Sequence, residues 1–150
     1  ECLHLPGHTM GAMGYCIEAC LFAGDVLFGA GCGYIFEGTP EDMLLSLDRI
    51  RALAAETRVY FGHEYTRANL DFARYVEPDN QNILDRYEKL TRVTTPSDLA
   101  LEMSTNPFLR IDEPVLQEAL SSRAGQAIAN RAERLRILRE WKSEFDRGGV

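Results

Sequence analysis

The sequence predicts an α/β protein in which strands and one helix, over residues 1–64, precede a mostly helical region over residues 65–150. Two observations predict this class. The first part consists of short apolar runs that end at glycine, which is typical of strands. The second part shows helical periodicity interrupted by proline, asparagine and aspartate at turns. A chain of 150 residues is long enough to bury a modest core.

Three apolar runs are predicted as strands. They are CLHL at residues 2–5, MGYCIEACLFAGD at residues 13–25 and RVYFGHE at residues 58–64. A helix is predicted between the last two runs, over residues 39–56, with Thr39 as N-cap and Pro40 at the first helical position. Its apolar residues follow a helical period and are Met43, Leu44, Leu47, Ile50 and Leu53.

The second region contains two segments that favour turns, VEPDNQ at residues 76–81 and TTPSDLALEMSTNPFLRIDEP at residues 94–114. Residues 123–150 are predicted as a basic helix, which is unusual because the chain as a whole is acidic. We expect residues 1–64 and residues 65–150 to form separate domains.

Composition excludes two classes of partner. With 45% hydrophobic residues and no apolar run near the roughly 20 residues that span a bilayer, no membrane segment is expected. The 23 acidic and 16 basic residues give a formal net charge of −7, which would repel a phosphate backbone, so nucleic acid is not an expected partner.

The four cysteines lie within the first 32 residues and form no CxxC pair. We predict that Cys2, Cys16, Cys20 and Cys32 are buried free thiols, which indicates a reducing, cytoplasmic compartment. The sequence begins in a predicted strand without an initiator methionine, so we expect it to be part of a longer protein.

Three candidate functional residues follow glycine near the ends of predicted strands: His8, Asp25 and His63. The carboxyl ends of strands are where α/β proteins bind ligands. Imidazole and carboxylate suit a divalent ion such as zinc or iron. The alternative is that each is an ordinary turn or N-cap residue. His4 lies within its strand and is predicted to be structural.

The glycine-rich segment GDVLFGAGCGYIFEG, at residues 24–38, is not a dinucleotide-binding loop. Tyr34 stands where the third glycine of GxGxxG is needed, and no helix is predicted directly after it. We interpret it as a closely packed loop in which the glycines let the backbone approach the site. The alternative is that the glycines serve packing alone.

Six motifs appear in the order and approximate spacing of one enzyme family: PGHT, LFAGDVLF, GCGYIFEGTPEDM, VYFGHEYT, VEPDN and TNPFLR. On these motifs the chain resembles glyoxalase II, the hydroxyacylglutathione hydrolase branch of the metallo-β-lactamase superfamily. The resemblance implies the carboxyl-terminal half of an αββα sandwich followed by a helical, glutathione-binding domain.

The resemblance also implies a metal site. His8 of PGHT would ligate one metal, Asp25 would bridge two, and His63 of GHEY would ligate the second. The family's THxHxDH motif is absent, so this chain is expected to show partial or no occupancy. The complete enzyme would hold two divalent ions, with zinc as the first choice and iron or manganese as alternatives. Either the missing amino-terminal half or self-association would cover an apolar sheet face.

The implied reaction is hydrolysis of S-D-lactoylglutathione to D-lactate and glutathione by a metal-bound hydroxide, a step in the detoxification of methylglyoxal. Tyr65 matches the family's tyrosine that contacts glutathione, and Arg139 with Lys142 match the basic pair that holds its glycine carboxylate. Two positions depart from the family. Tyr34 replaces the usual arginine or lysine after GCG, and Ala12 replaces the second histidine of GHTxGH.

Two alternatives to the hydrolase stay open. An iron persulfide dioxygenase of the same superfamily shares the PGHT and GCG features but lacks the basic helical tail. The chain would otherwise be a glutathione-binding module without catalytic activity. A solvated basic helix is the alternative to a glutathione carboxylate site.

Overall fold

The computed structural model describes residues 1–148, which form seven strands and six helices. The strands are β1 Cys2–His4, β2 Met13–Ile17, β3 Cys20–Gly24, β4 Leu27–Phe28, β5 Gly31–Cys32, β6 Arg58–Phe61 and β7 Ser97–Asp98. The helices are α1 Pro40–Arg51, α2 Thr66–Val76, α3 Gln81–Glu88, α4 Leu99–Thr105, α5 Pro114–Ala124 and α6 Arg131–Asp146. Five of the helices follow residue 65, in agreement with the mostly helical region predicted there.

Five strands form one sheet in the order β1-β2-β3-β6-β7, and β4 with β5 forms a separate hairpin. Within the described residues, β3 and β6 are the parallel pair, with Cys20 opposite Arg58 and Gly24 opposite Phe61. Parallel neighbours need a long crossover, and the segment containing α1 supplies it. The carboxyl ends of β3 and β6 therefore lie side by side at one edge of the sheet.

The run at residues 13–25, predicted as one strand, is two strands joined by a tight turn. Ile17 is paired with Cys20, and the turn residue Glu18 has φ 53°. A non-glycine residue seldom adopts this left-handed conformation, and Glu-Ala is not a typical turn pair. The sequence therefore carried no turn signal here.

Helix α1 begins as predicted and ends earlier. The Thr39 hydroxyl accepts a hydrogen bond from the Asp42 backbone N–H, and the Asp42 carboxylate accepts one from the Thr39 backbone N–H. This capping box fixes the start of the helix. The prediction of helix to residue 56 is wrong, because the chain turns after Arg51 to bring Arg58 into register beside β3.

The two faces of the main sheet differ. One face supplies Leu21 and Val59 to a core that also contains Leu47 of α1 and Leu138 of α6. The other face is uncovered and apolar in part. Its exposed hydrophobic residues are Met13, Tyr15, Ile17 and Phe22, and the Phe22 ring stacks on Tyr60. We call this surface the open sheet face.

The core continues across residue 64, since one cluster contains residues from both predicted domains. Strand β7, from the second part, also extends the sheet of the first part. The division into two domains at residue 64 stays a prediction. The residues on both sides of it pack into one hydrophobic core.

A buried polar cluster joins the helical region to the β4–β5 hairpin. The Arg86 guanidinium pairs with the Glu102 carboxylate at 2.6 Å, and Glu102 also accepts a hydrogen bond from the Ala30 backbone N–H at 2.8 Å. The Asn106 side-chain amide donates to the carbonyls of Phe28 and Gly31. These contacts hold Ala30 at φ 55°, a conformation that costs energy for a residue with a Cβ.

Arg131, at the start of α6, joins α6 to α1 and to the loop before α5. Its guanidinium donates to the Asp48 carboxylate and to the Asp112 carboxylate, each at about 2.8 Å. Hydrogen bonding from Arg131 lowers the pKa of Asp112, so this carboxylate stays ionised in mildly acid solution.

The four cysteines are free, as predicted, but they are not all buried. Cys32 is buried, Cys16 and Cys20 are partly exposed, and Cys2 is exposed. The prediction of burial is wrong for the latter three: Cys2 lies on the edge strand β1, Cys20 lies on the open sheet face, and Cys16 packs against the core but is only partly covered. Burial raises the pKa of the Cys32 thiol to about 11, so it is protonated at neutral pH. No helix among residues 1–148 is long and apolar enough to cross a membrane.

We expect Glu102→Gln to lower the free energy of unfolding by about 3–5 kcal/mol, because it leaves the buried Arg86 cation without its anion. Chemical denaturation measures this loss. The matched control is Glu140→Gln, which breaks an exposed pair with Arg136 and should cost under about 1 kcal/mol. Equal losses in the two variants would contradict the role assigned to the buried pair.

Candidate active site

Three side chains predicted as metal ligands lie together at the carboxyl edge of the main sheet. Asp25 follows β3 directly, His63 follows β6 by one residue, and His8 lies in the loop after β1. The His8 Nε2 atom is 3.9 Å from Asp25 Oδ2, and the His63 Nε2 atom is 3.6 Å from Asp25 Oδ1. The parallel register of β3 and β6 explains why Asp25 and His63 meet.

The Asp25 carboxylate presents a different oxygen to each histidine. Two ligand atoms on one tetrahedral zinc ion lie about 3.3–3.6 Å apart, which follows from zinc bond lengths of about 2.0–2.2 Å. The His63 distance matches this spacing, and the His8 distance is longer by about 0.3 Å. The chemistry of the three donors fits divalent ions, for which His8, Asp25 and His63 would supply part of the ligands. Among residues 1–148, no group of three or more histidine, cysteine, aspartate or glutamate side chains is placed to hold a metal ion.

The His8 ring is oriented by a backbone contact. Its Nδ1–H donates a hydrogen bond of 2.9 Å to the carbonyl of Tyr34. A carbonyl can only accept, so the neutral ring carries its lone pair on Nε2, the atom that faces Asp25. Metal-binding histidines are commonly held in this way.

Two glycines allow the close approach of these groups. A Cβ at Gly62 would lie 2.4 Å from Asp25 Oδ1, and a Cβ at Gly33 would lie 2.1 Å from the Asp25 carbonyl oxygen. Neither position has room for a larger residue. The glycine-rich loop is therefore packed against the site, and glycine is needed there for space.

All seven residues predicted for the site line one cleft of about 570 Å³. They are His8, Asp25, Tyr34, His63, Tyr65, Arg139 and Lys142. The Tyr65 ring stacks on His63 with centroids 5.0 Å apart, and Phe28 contacts Tyr65 edge-on at 5.2 Å. Tyr34 and Phe36 stack on each other, and the Phe36 ring lies 5.0 Å from the His8 ring, centroid to centroid. Aromatic rings thus flank both histidines.

The two basic residues at the α6 side of the cleft differ in their partners. The Arg139 guanidinium donates to the carbonyl of Cys32 at 2.8 Å and lies 4.7 Å above the Tyr34 ring. The Lys142 ammonium forms an ion pair with the Asp146 carboxylate. Burial lowers the pKa of Lys142, and the neighbouring Asp146 opposes this shift. Arg139 therefore has no carboxylate partner among the described residues, whereas Lys142 has one.

Sequence reasoning missed seven residues that line the cleft, among them Phe28, Phe36 and Asp146. The aromatic residues carried no signal because a phenylalanine in a glycine-rich loop is equally consistent with packing. Asp146 could have been found, since it lies four residues after Lys142 and this spacing places both on one helix face.

We expect Gly62→Ala to weaken zinc binding by this chain about tenfold or more, because the added methyl group displaces the Asp25 carboxylate. Calorimetric titration with zinc measures the effect. Gly11→Ala is the matched control, since a Cβ there meets nothing within 4 Å. Equal zinc affinities in the two variants would refute the role given to Asp25.

Comparisons with known proteins identify chains that are similar to this one. A family model described as "Hydroxyacylglutathione hydrolase C-terminus" matches residues 64–145. Hydroxyacylglutathione hydrolases from Pseudomonas paraeruginosa strain DSM 24068 / PA7 and Pseudomonas aeruginosa strain LESB58 are each 48% identical over 154 residues, covering 97% of this chain and 60% of each relative. That of Pseudomonas fluorescens strain SBW25 is 48% identical over 147 residues.

The crystal structure of ETHE1 from Myxococcus xanthus aligns with a TM-score of 0.55 at 24% identity, covering 92% of this chain and 44% of that one. It shows the fold, which is that of the metallo-β-lactamases. The chain spans about 60% of the length of the curated Pseudomonas aeruginosa relatives it matches. Because the family match covers more than half of the chain, the chain belongs to the hydroxyacylglutathione hydrolase family.

Proposed function

We propose that this chain contributes to the hydrolysis of S-D-lactoylglutathione, or a similar glutathione thioester, to D-lactate and glutathione. One observation carries the proposal: candidate metal ligands and a basic pair open into the same cleft. An arrangement of this kind can hold the acid end of a glutathione conjugate while its thioester lies near the histidines. The family membership supports the choice of substrate class.

We propose two divalent ions as cofactors, held in part by His8, Asp25 and His63. Zinc is the first choice for two imidazoles and a carboxylate, with iron or manganese as alternatives. When bound, such ions supply a nucleophile at neutral pH and polarise the thioester carbonyl. His8 directs its Nε2 lone pair toward Asp25 because its other nitrogen is held by Tyr34. His63 is kept in place by stacking on Tyr65.

Residues on the other side of the cleft would bind the tripeptide. Arg139 and Lys142 would hold the glycine carboxylate through charge-assisted hydrogen bonds. Tyr65 would contact the peptide next to the histidines, and Tyr34 would contribute its exposed ring beside Arg139. We propose residues 65–150 as the glutathione-binding domain, with 1–64 as the metallo-β-lactamase-like part, and the family match to residues 64–145 supports this division.

We propose that the open sheet face is covered in the working enzyme by an amino-terminal half that this chain lacks, or else by self-association. Exposed residues on this face include Tyr15 at 51% and Ile17 at 60%. Burying apolar area contributes about 25 cal/mol per Å², which favours such a partner. The incomplete ligand sets at the two ion positions favour a segment that brings further ligands. We propose the cytoplasm as the location, where glutathione and free thiols persist.

The first test compares this chain alone with the same chain joined to the amino-terminal segment of the Pseudomonas aeruginosa relative. We expect the joined protein to hydrolyse S-D-lactoylglutathione and to retain two metal ions after dialysis, as counted by elemental analysis. The chain alone should bind at most partial metal, because His8, Asp25 and His63 would supply only part of the ligands. Two tightly held ions on the chain alone would contradict the proposed incompleteness.

The same proteins separate the hydrolase from its alternatives. Oxygen consumption with glutathione persulfide, without thioester hydrolysis, would identify a persulfide dioxygenase. Glutathione binding without metal or hydrolysis in the joined protein would identify a binding module.

The second test addresses the basic pair. In the joined protein, Lys142→Ala should raise KM for S-D-lactoylglutathione about tenfold or more, because it removes a charge-assisted contact to the substrate. The metal ligands are untouched, so the effect should fall mainly on KM in steady-state kinetics. An unchanged KM would remove the reason for assigning glutathione to this cleft.

A further inference from the structure

Asp146 is the last residue of α6, and its carboxylate is the partner of the Lys142 ammonium. Both residues line the cleft that contains the histidines. The Lys142 side chain is 4% exposed, and the Asp146 side chain is 33% exposed. The carboxylate therefore reaches solvent in the cleft, while the ammonium it covers is almost fully buried.

We propose that Asp146 sets the affinity of the cleft for carboxylate-bearing substrates by occupying the Lys142 ammonium in the free protein. The inference rests on the proposed function and deepens it. A substrate carboxylate that approaches Lys142 must share its ammonium protons with Asp146 or displace Asp146. It also meets the negative charge of Asp146 at the entrance. Asp146 is thus a specificity-determining residue that opposes binding through Lys142.

Burial distinguishes this pair from an ordinary ion pair on a helix surface. An exposed pair at this spacing contributes little to stability. The Lys142 ammonium instead lies beneath the protein surface, 5.9 Å from the centre of the Phe72 ring, with the cationic Arg139 one turn away. A buried ammonium needs an anion. Asp146 supplies that anion when no substrate is present, and a substrate carboxylate would supply it in the complex.

The ion pair also makes Lys142 less available than Arg139 to a negatively charged ligand. Arg139 donates to the neutral carbonyl of Cys32, so its positive charge is not cancelled by that contact. The charge of Lys142 is largely cancelled by Asp146. Removing the Asp146 charge, while keeping the side-chain shape, should therefore free the second cation for the substrate.

The test uses Asp146→Asn in the joined protein, with S-D-lactoylglutathione as substrate. We expect KM to fall about fivefold, the effect of a partly exposed ion pair, with the change in KM rather than in kcat. Asp146→Glu should retain the wild-type KM, because it keeps the charge. Asp79→Asn, at an exposed position outside this cleft, is the control for a change in net charge.

A double variant identifies the route of the effect. If Asp146 acts through Lys142, the fivefold change should disappear when Lys142→Ala is already present. Binding of S-methylglutathione, measured by calorimetry on the same proteins, should follow the same pattern. It provides a readout that does not need turnover.

The outcomes separate the two claims. Wild-type hydrolysis together with an unchanged or raised KM in Asp146→Asn would overturn this inference alone. An equal fall in KM in Asp79→Asn, or persistence of the effect without Lys142, would also overturn it. Absence of thioester hydrolysis by the wild-type joined protein would overturn the proposed function, and calorimetry would then decide the role of Asp146 by itself.

Discussion

The parallel pairing of β3 with β6 is the constraint on which the candidate site depends. Its register places Gly24 opposite Phe61, so that Asp25 and His63 leave the sheet next to each other. A shift of one residue would turn either side chain to the opposite face of the sheet. The segment of residues 25–57 makes the crossover between these strands, and the capping box at Thr39 fixes where its helix α1 begins. Asp25 and His63 form part of the candidate metal site because the strand register brings them together.

The sequence predicted those features of the fold that depend on local signals. Thr39, Pro40 and Asp42 form a recognisable start of a helix, and the glycines before His63 and Asp25 mark the ends of strands. Features decided by distant partners could not be predicted in this way. Residues beyond Arg51 favour helix by composition, yet they turn because β6 must pair with β3. Glu18 accepts a left-handed conformation because the strands on both sides of it pair.

The same distinction holds for the candidate site. His8, Asp25 and His63 were found because histidine and aspartate after glycine are chemically informative at strand ends. The positions of Phe28 and Phe36 beside the two histidines were not predicted, since they depend on how the loop folds. The orientation of His8 by the Tyr34 carbonyl was also invisible, because a backbone group carries no sequence signal. Metal ligation itself stays a prediction for all three residues.

The hydrogen bond from His8 to the Tyr34 carbonyl does not depend on which side chain stands at position 34. Tyr34 also lies beneath the Arg139 guanidinium, so one residue contacts a candidate metal ligand through its backbone and a candidate substrate contact through its ring. The Arg139 contact depends on the Tyr34 side chain, whereas the His8 hydrogen bond uses only the Tyr34 backbone. A change of the side chain at this position therefore alters the surroundings of Arg139 and leaves the acceptor of the His8 hydrogen bond in place.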